Sequence, residues 1–184
     1  MQLFLLLSLA HLLGDYPFQT NWIYRQKTKS WLGSFLHVLI LAACFAVLLA
    51  PYLVNRVVIL ALFIILVVHF FQDVWKIELA NKRKKIAPFA ALVLDQVLHF
   101  ALLVGVAFRL DSVRLRISFA EEIITSPTFL WILMYVIVLI LATFTWDVFE
   151  FVRNKREKLQ HKWPSLLSRG AIVTVVFGLI YLLR

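Results

Sequence analysis

The chain has 184 residues, 62% of them hydrophobic, and a formal net charge of +9. Water-soluble domains hold roughly 45–50% apolar residues, so this composition excludes an ordinary soluble globule. The basic excess sits in short connections between apolar runs, which suits cytoplasmic loops lying against anionic lipid headgroups and argues against nucleic-acid binding.

Six apolar runs follow one another at about 1–18, 31–54, 57–79, 87–108, 128–151 and 166–183. Most approach the ~20 residues needed to cross a bilayer. They show no period-two alternation, so the chain is expected to be all-α, a polytopic six-transmembrane-helix bundle forming one domain over residues 1–184. The first run lacks a basic leader and passes into His11, Gly14 and Asp15 without a small-residue cleavage pattern, so it reads as a retained helix. The polar stretch from Thr20 to Ser30, with Trp22, Tyr24 and Trp31 as interfacial anchors, suits a surface helix.

The second run carries His37 and the single cysteine, Cys44, which has no partner for an intrachain disulfide. In the third run stand His69, Asp73 and Lys76, the last reading as an interfacial ion pair that snorkels. The fourth holds Asp95, Gln96 and His99, and Gln19, Gln72 and Gln96 suit the orientation of ligands or helix–helix hydrogen bonds. Between Arg109 and Pro127, apolar Val113, Leu115, Ile117 and Phe119 alternate with polar residues, a pattern for a short strand or an irregular loop. Asp147 closes the fifth run, and Arg169 in the sixth can counter it or reach the headgroups.

Arg25, Lys27 and Lys29 occupy the first connection, Lys82, Arg83, Lys84 and Lys85 the third, and Arg153, Lys155, Arg156, Lys158 and Lys162 the fifth. By the positive-inside rule these three connections are cytoplasmic and both termini lie outside.

The chemistry concentrates in three pairs, His11/Asp15, His69/Asp73 and Asp95/His99, each four residues apart. Residues so spaced share one helical face, and ionisable groups at membrane depth mark working sites by default. Asp73 and His69 lie nine and thirteen residues before Lys82, while Asp95 and His99 lie ten and fourteen after Lys85. At ~1.5 Å per residue the two antiparallel helices therefore present their carboxylates and imidazoles at matched heights.

His11, Asp15, His37, His69, Asp73, Asp95 and His99 are accordingly the candidate metal ligands. Asp15, Asp73 and Asp95 are the candidate catalytic carboxylates. Neutral imidazole and carboxylate suit a divalent transition metal, zinc first, then manganese or iron. The competing reading is that each His satisfies an Asp one turn away and merely fastens helices together. No phosphate-binding glycine loop, GxSxG, HExxH or CxxC occurs, which removes the enzyme classes built on those motifs.

The segments His11-Leu-Leu-Gly-Asp15-Tyr-Pro-Phe-Gln19, the isolated His37, His69-Phe-Phe-Gln-Asp73-Val-Trp-Lys76 and Asp95-Gln96-Val-Leu-His99 resemble a bacterial membrane family known as domain of unknown function 3307. The resemblance covers roughly residues 5–105 and implies a bacterial inner-membrane protein without naming a reaction. A looser likeness, in the style of the intramembrane HxxxD motif, is to membrane-bound metal-dependent hydrolases. The leading expectation is a cytoplasm-facing metal centre that hydrolyses a lipid or phosphate-bearing substrate. An ion- or proton-coupled transporter using the same cluster, or a structural membrane subunit, is the rival expectation.

Overall fold

The computed structural model describes residues 2–82, 88–153 and 163–183. Among the described residues all regular structure is helical: α1 (Gln2–Asp15), α2 (Asn21–Lys29), α3 (Trp31–Leu48), α4 (Arg56–Lys82), α5 (Pro88–Asp111), α6 (Glu121–Ile124), α7 (Pro127–Ile140), α8 (Trp146–Arg153) and α9 (Trp163–Leu182). Among the described residues five segments are long and apolar enough to cross a bilayer, at Trp31–Leu48, Arg56–Glu78, Phe89–Asp111, Pro127–Arg153 and Trp163–Leu182. The chain is thus a membrane-type helical protein. Arg83, Lys84, Lys85, Lys155, Arg156, Lys158 and Lys162, on which the sequence-based orientation rests, lie outside the described residues.

The first helix departs from the expected run of 18 residues. It has 14 residues, or ~21 Å of rise, against the ~30 Å hydrocarbon core. Pro17 explains the stop, because a proline disfavours the helical conformation of the residue before it, here Tyr16. What α1 lacks in length it makes up in burial, with ten of its residues inside the protein. It packs against α3, α5 and α7, while α4 closes the ring by packing on α3 and α5. Leu6, Leu7, Leu12, Leu41, Phe45, Ile65, Leu103 and Leu110 form the apolar core around it.

Close approach of α1 to α3 depends on Gly14. A Cβ there would stand 2.7 Å from the Leu41 side chain and 3.3 Å from its Cα. The turn from α2 into α3 is tighter still, since a Cβ on Gly33 would lie 1.9 Å from the carbonyl oxygen of Gln26. Ser30 caps α3 by accepting from the Gly33 N–H at 3.2 Å, and the Ser34 hydroxyl donates to the Lys27 carbonyl at 3.4 Å. This corner folds α2 back onto the bundle, and it fixes which face of α2 looks inward.

The expected surface helix is present as α2, started by the Thr20 side chain accepting from Ile23 N–H at 3.3 Å. Of the two readings for the segment beyond α5, the irregular loop is the one found. Its backbone is tied to the α3–α4 turn: Asn55 exchanges two hydrogen bonds with Arg116, at 2.7 and 2.9 Å, and Ser118 bonds the Pro51 carbonyl. Leu115 and Ile117 pack on the core, which accounts for the alternation.

The expected fifth helix is α7 and α8 joined by a π-turn at Leu141–Thr145. Such a turn interrupts the regular carbonyl ladder. Here the Thr143 carbonyl receives Arg169 of α9 at 3.3 Å, and the same guanidinium reaches Asp147 and the Ser165 hydroxyl. The Arg169–Asp147 pairing offered by the sequence is therefore made. Most of α9 otherwise faces outward, with Ile172, Val175 and Leu179 exposed as lipid-facing residues would be.

Candidate metal centre

All seven sequence-derived candidates meet in one buried cluster. His11 and Asp15 come from the last turns of α1, His37 from the first half of α3, His69 and Asp73 from α4, and Asp95 and His99 from α5. His11, His37, His69, Asp73 and His99 are at most 2% exposed, and Asp95 and Asp15 are 4% and 6% exposed. The three i/i+4 pairs, each on one helix face, turn inward together because the opposite faces carry the apolar residues that meet lipid or the remaining core.

The centre of the cluster is the edge between His37 and His69, whose Nε2 atoms are 3.2 Å apart. Asp15 lies on one side, its Oδ1 at 3.0 Å from His37 Nε2 and 3.7 Å from His69 Nε2. Asp73 lies against the same two imidazoles, its Oδ2 at 3.1 Å from His69 Nε2 and 3.7 Å from His37 Nε2. Ligands held at 2.0–2.1 Å in tetrahedral geometry stand about 3.3–3.4 Å apart. Each trio of two imidazoles and one carboxylate therefore has the dimensions of three ligands of one ion, and the two trios share the His37–His69 edge.

Further donor groups extend from this edge. His11, Asp15 and His69 form one trio whose donor atoms fall within 4.8 Å of one another, and Asp73, Asp95 and His99 form another. The four imidazoles stack side by side, with ring centroids 5.4 Å apart for His37–His69, 4.2 Å for His69–His99 and 5.1 Å for His99–His11. Among the described residues neither ring nitrogen of His99 has a hydrogen-bond partner, and nor does Nε2 of His11. The nearest carboxylate oxygens are 3.7 Å from His99 Nδ1 and 3.6 Å from His11 Nε2, beyond hydrogen-bond range. Helices fastened only by His–Asp hydrogen bonds would not leave these nitrogens unmet, since an unsatisfied buried polar atom costs about 1–3 kcal/mol.

Lys27 was missed by the sequence reading, which assigned it to a basic surface connection. It is 5% exposed, and its Nζ lies 2.6 Å from Asp73 Oδ2 and donates to Gln19 Oε1 at 3.3 Å. The signal available in the sequence was its i+4 spacing from Ile23, the other buried side chain of α2. Lys76 makes the ion pair expected of it, its side chain 26% exposed and its ammonium 2.5 Å from Asp95 Oδ2 and 3.6 Å from Asp73 Oδ1. Gln96 donates to Asp15 Oδ2 at 3.3 Å and to Asp95 Oδ2 at 3.5 Å, and Gln19 donates to the Asp15 carbonyl at 3.0 Å. Asp147, at the close of the expected fifth run, is engaged by Arg169.

Charge balance follows directly. Three buried carboxylates, Asp15, Asp73 and Asp95, face two ammonium groups, Lys27 and Lys76. With neutral imidazoles one negative charge is left over, and an uncompensated charge in a low-dielectric interior is costly. A divalent cation reverses the sign, and hydroxide on that cation makes the centre neutral. Beside the cluster a cavity of about 250 Å³ reaches Asp15 between α1, α2, α4, α5 and α8. Tyr16 also lines it, just past the end of α1, and burial together with the carboxylates of Asp15 and Asp95 pushes its phenol up, so it stays protonated.

The sequence model of a family described as a protein of unknown function, DUF3307, matches residues 3–125, a span that holds all seven candidate ligands and both lysines. No curated protein and no solved structure matches the chain. The looser likeness to metal-dependent hydrolases has no counterpart in these findings.

The buried Lys27–Asp73 pair makes a testable demand on stability. Removing one partner of a buried ion pair costs about 3–5 kcal/mol because the other charge is left behind. Lys27→Met should therefore lower the Tm of the metal-free protein in neutral detergent far more than Lys29→Met, whose side chain is exposed. Adding Asp73→Asn to Lys27→Met should recover part of the loss. Equal effects of the two lysine substitutions would contradict the pairing.

Proposed function

The chain belongs to the DUF3307 family of proteins of unknown function, and we propose that its buried His/Asp cluster is a divalent-metal centre acting as a membrane-embedded metal-dependent hydrolase. The observation that carries this reading is that His37 and His69 Nε2 stand 3.2 Å apart with carboxylate oxygens of Asp15 and Asp73 each 3.0–3.7 Å from both. Two imidazoles and a carboxylate with an open position form a donor set that zinc uses in hydrolytic sites, and manganese and iron accept the same ligand types. A bound ion of this kind lowers the pKa of its water to about 7 and polarises the substrate oxygen.

The residues around the ion divide the remaining work. His37 and His69 supply neutral ligands, and Asp15 and Asp73 supply charge. Asp15 also lines the cavity, so its second oxygen, held by Gln96, is placed to take a proton from attacking water. Asp95, paired with Lys76, sets the charge on the α4–α5 side. His11 and His99, with Nε2 of the one and both ring nitrogens of the other meeting no hydrogen-bond partner among the described residues, offer further donors beside the central edge.

Transport through the same cluster fits less well. Toward the α3–α4 turn the core is built on Leu3, Leu6, Phe45, Leu49, Val58, Leu62, Leu103 and Leu110, an apolar plug in which buried Ser8 and Tyr52 carry hydroxyls. A permeation path needs polar partners through that half, whereas a hydrolytic centre needs access from one side. In our reading α1 inserts as a sixth, shorter apolar helix beside the five long ones. The chain lies in the bacterial inner membrane with the α1–α2 end in the cytoplasm and both termini outside.

Two experiments test this reading. Protein purified without chelator should carry a transition metal, and added zinc at about 100-fold above its Kd should stabilise the fold by ~2.7 kcal/mol. His37→Ala or His69→Ala should abolish both the bound metal and that stabilisation, along with any zinc-dependent turnover of a nitrophenyl phosphate or carboxylate ester. A metal-free, chelator-insensitive wild type whose melting ignores zinc would reject the centre. For orientation, in a Cys44→Ser background Thr28→Cys should resist an impermeant thiol reagent in intact cells while Ser112→Cys reacts. The opposite pattern would invert the topology and leave the cluster intact.

A further inference from the structure

The cavity beside the cluster has two unlike sides, and together they specify a ligand. One side is polar and joined to the centre by hydrogen bonds and ion pairs: Asp15, Lys27, Lys76 and Gln96. The other is hydrocarbon: Ile77 on α4, Leu92 on α5, and Val148 and Val152 one turn apart on α8. Tyr24 stands on its lining, half exposed, and Trp22 and Trp31 are exposed on the same α2–α3 corner. Aromatic rings at such positions mark headgroup depth, so the cavity lies where a lipid's head meets its chain.

We propose that this cavity receives an amphiphile with a singly charged phosphate head and an alkyl chain, the head on Lys27, Lys76 and Gln96 and the chain along the α4–α5–α8 wall. The inference rests on the metal-centre reading and names its substrate class. With a divalent ion bound, the three carboxylates and two ammonium groups leave a net charge of +1. With neutral water on the ion, a head with one negative charge takes the place of the hydroxide in restoring neutrality, whereas a quaternary ammonium head would raise the charge further.

Donor capacity agrees with this. Each ammonium has three protons. Lys27 directs its contacts to Asp73 and Gln19, and Lys76 to Asp95 with Asp73 at 3.6 Å. An ion bound by Asp73 competes for the carboxylate that Lys27 holds, which frees that ammonium for a phosphoryl oxygen. The hydrolytic step then balances simply. Water's oxygen forms a new bond to phosphorus, the bond from phosphorus to the alkyl-bearing oxygen breaks, and the proton taken by Asp15 is returned to that leaving oxygen.

The full chain in a neutral maltoside detergent, zinc-loaded and zinc-free, is titrated with the singly charged diester methyl dodecyl phosphate, with dimethyl phosphate and with dodecyltrimethylammonium, and zinc content is measured in the same samples. Methyl dodecyl phosphate should bind the zinc-loaded protein about tenfold or more tighter than either comparator. Lys76→Gln should weaken methyl dodecyl phosphate about tenfold at unchanged zinc content, and Val148→Trp should block it by filling the hydrocarbon side while zinc still binds. Equal affinity for methyl dodecyl phosphate and dimethyl phosphate would overturn the amphiphile in favour of a free-anion site. Zinc-replete protein that prefers the ammonium probe, or binds no probe, would overturn the substrate class and leave the metal centre standing. A wild type that takes up no zinc would reject the metal centre instead, and the proposal with it.

Discussion

Burying three carboxylates and four imidazoles inside an apolar helical bundle is the constraint on which the rest of this structure depends. None of these groups can be left in lipid, so each of the helices that carries one must turn that face inward and meet the others at a common depth. The i/i+4 pairs do this helix by helix. The meeting of α1, α3, α4 and α5 around the His37–His69 edge then follows from the same requirement, and Lys27 and Lys76 supply most of the countercharge.

The short first helix is the element that makes this arrangement geometrically possible. Placed at the middle of the bundle, α1 brings His11 and Asp15 to the centre, and Gly14 lets it close on Leu41 of α3. Because α1 ends at Asp15, the space that a longer helix would fill is lined instead by Tyr16, Gln19 and the inward face of α2. Access to the cluster from one end is thus a consequence of where Pro17 stops the helix. The apolar plug above the cluster, built on Leu6, Phe45 and Leu103, closes the other end.

Much of the site was legible in the sequence because polar residues within apolar runs are conspicuous. His37, with no neighbour at helical spacing, was still drawn in by its depth, and the count from the basic turn placed Asp73 against Asp95 and His69 against His99. Lys27 was hidden for the opposite reason: a lysine in a polar connection between Arg25 and Lys29 looks ordinary. Its spacing from Ile23 puts the two on one face of α2, and the α2–α3 corner, whose tightness is set by a contact between Gly33 and the Gln26 carbonyl, turns that face inward. The π-turn was equally hidden, since the partner that uses its Thr143 carbonyl, Arg169, lies on another helix. Leu115 and Ile117 alternated like strand residues, but their positions answer to the core beneath and to Asn55, and period two alone does not distinguish these cases.

The central claim is that an ion sits on the His37–His69 edge, flanked by carboxylates. Zinc-edge X-ray absorption on the full chain loaded with one equivalent of zinc tests it most directly. The account predicts a shell of nitrogen and oxygen at about 2.0–2.1 Å, with the outer-shell scattering characteristic of coordinated imidazole, and loss of that signature in His37→Ala and His69→Ala. A zinc spectrum without imidazole scattering, or one unchanged by both substitutions, would contradict it.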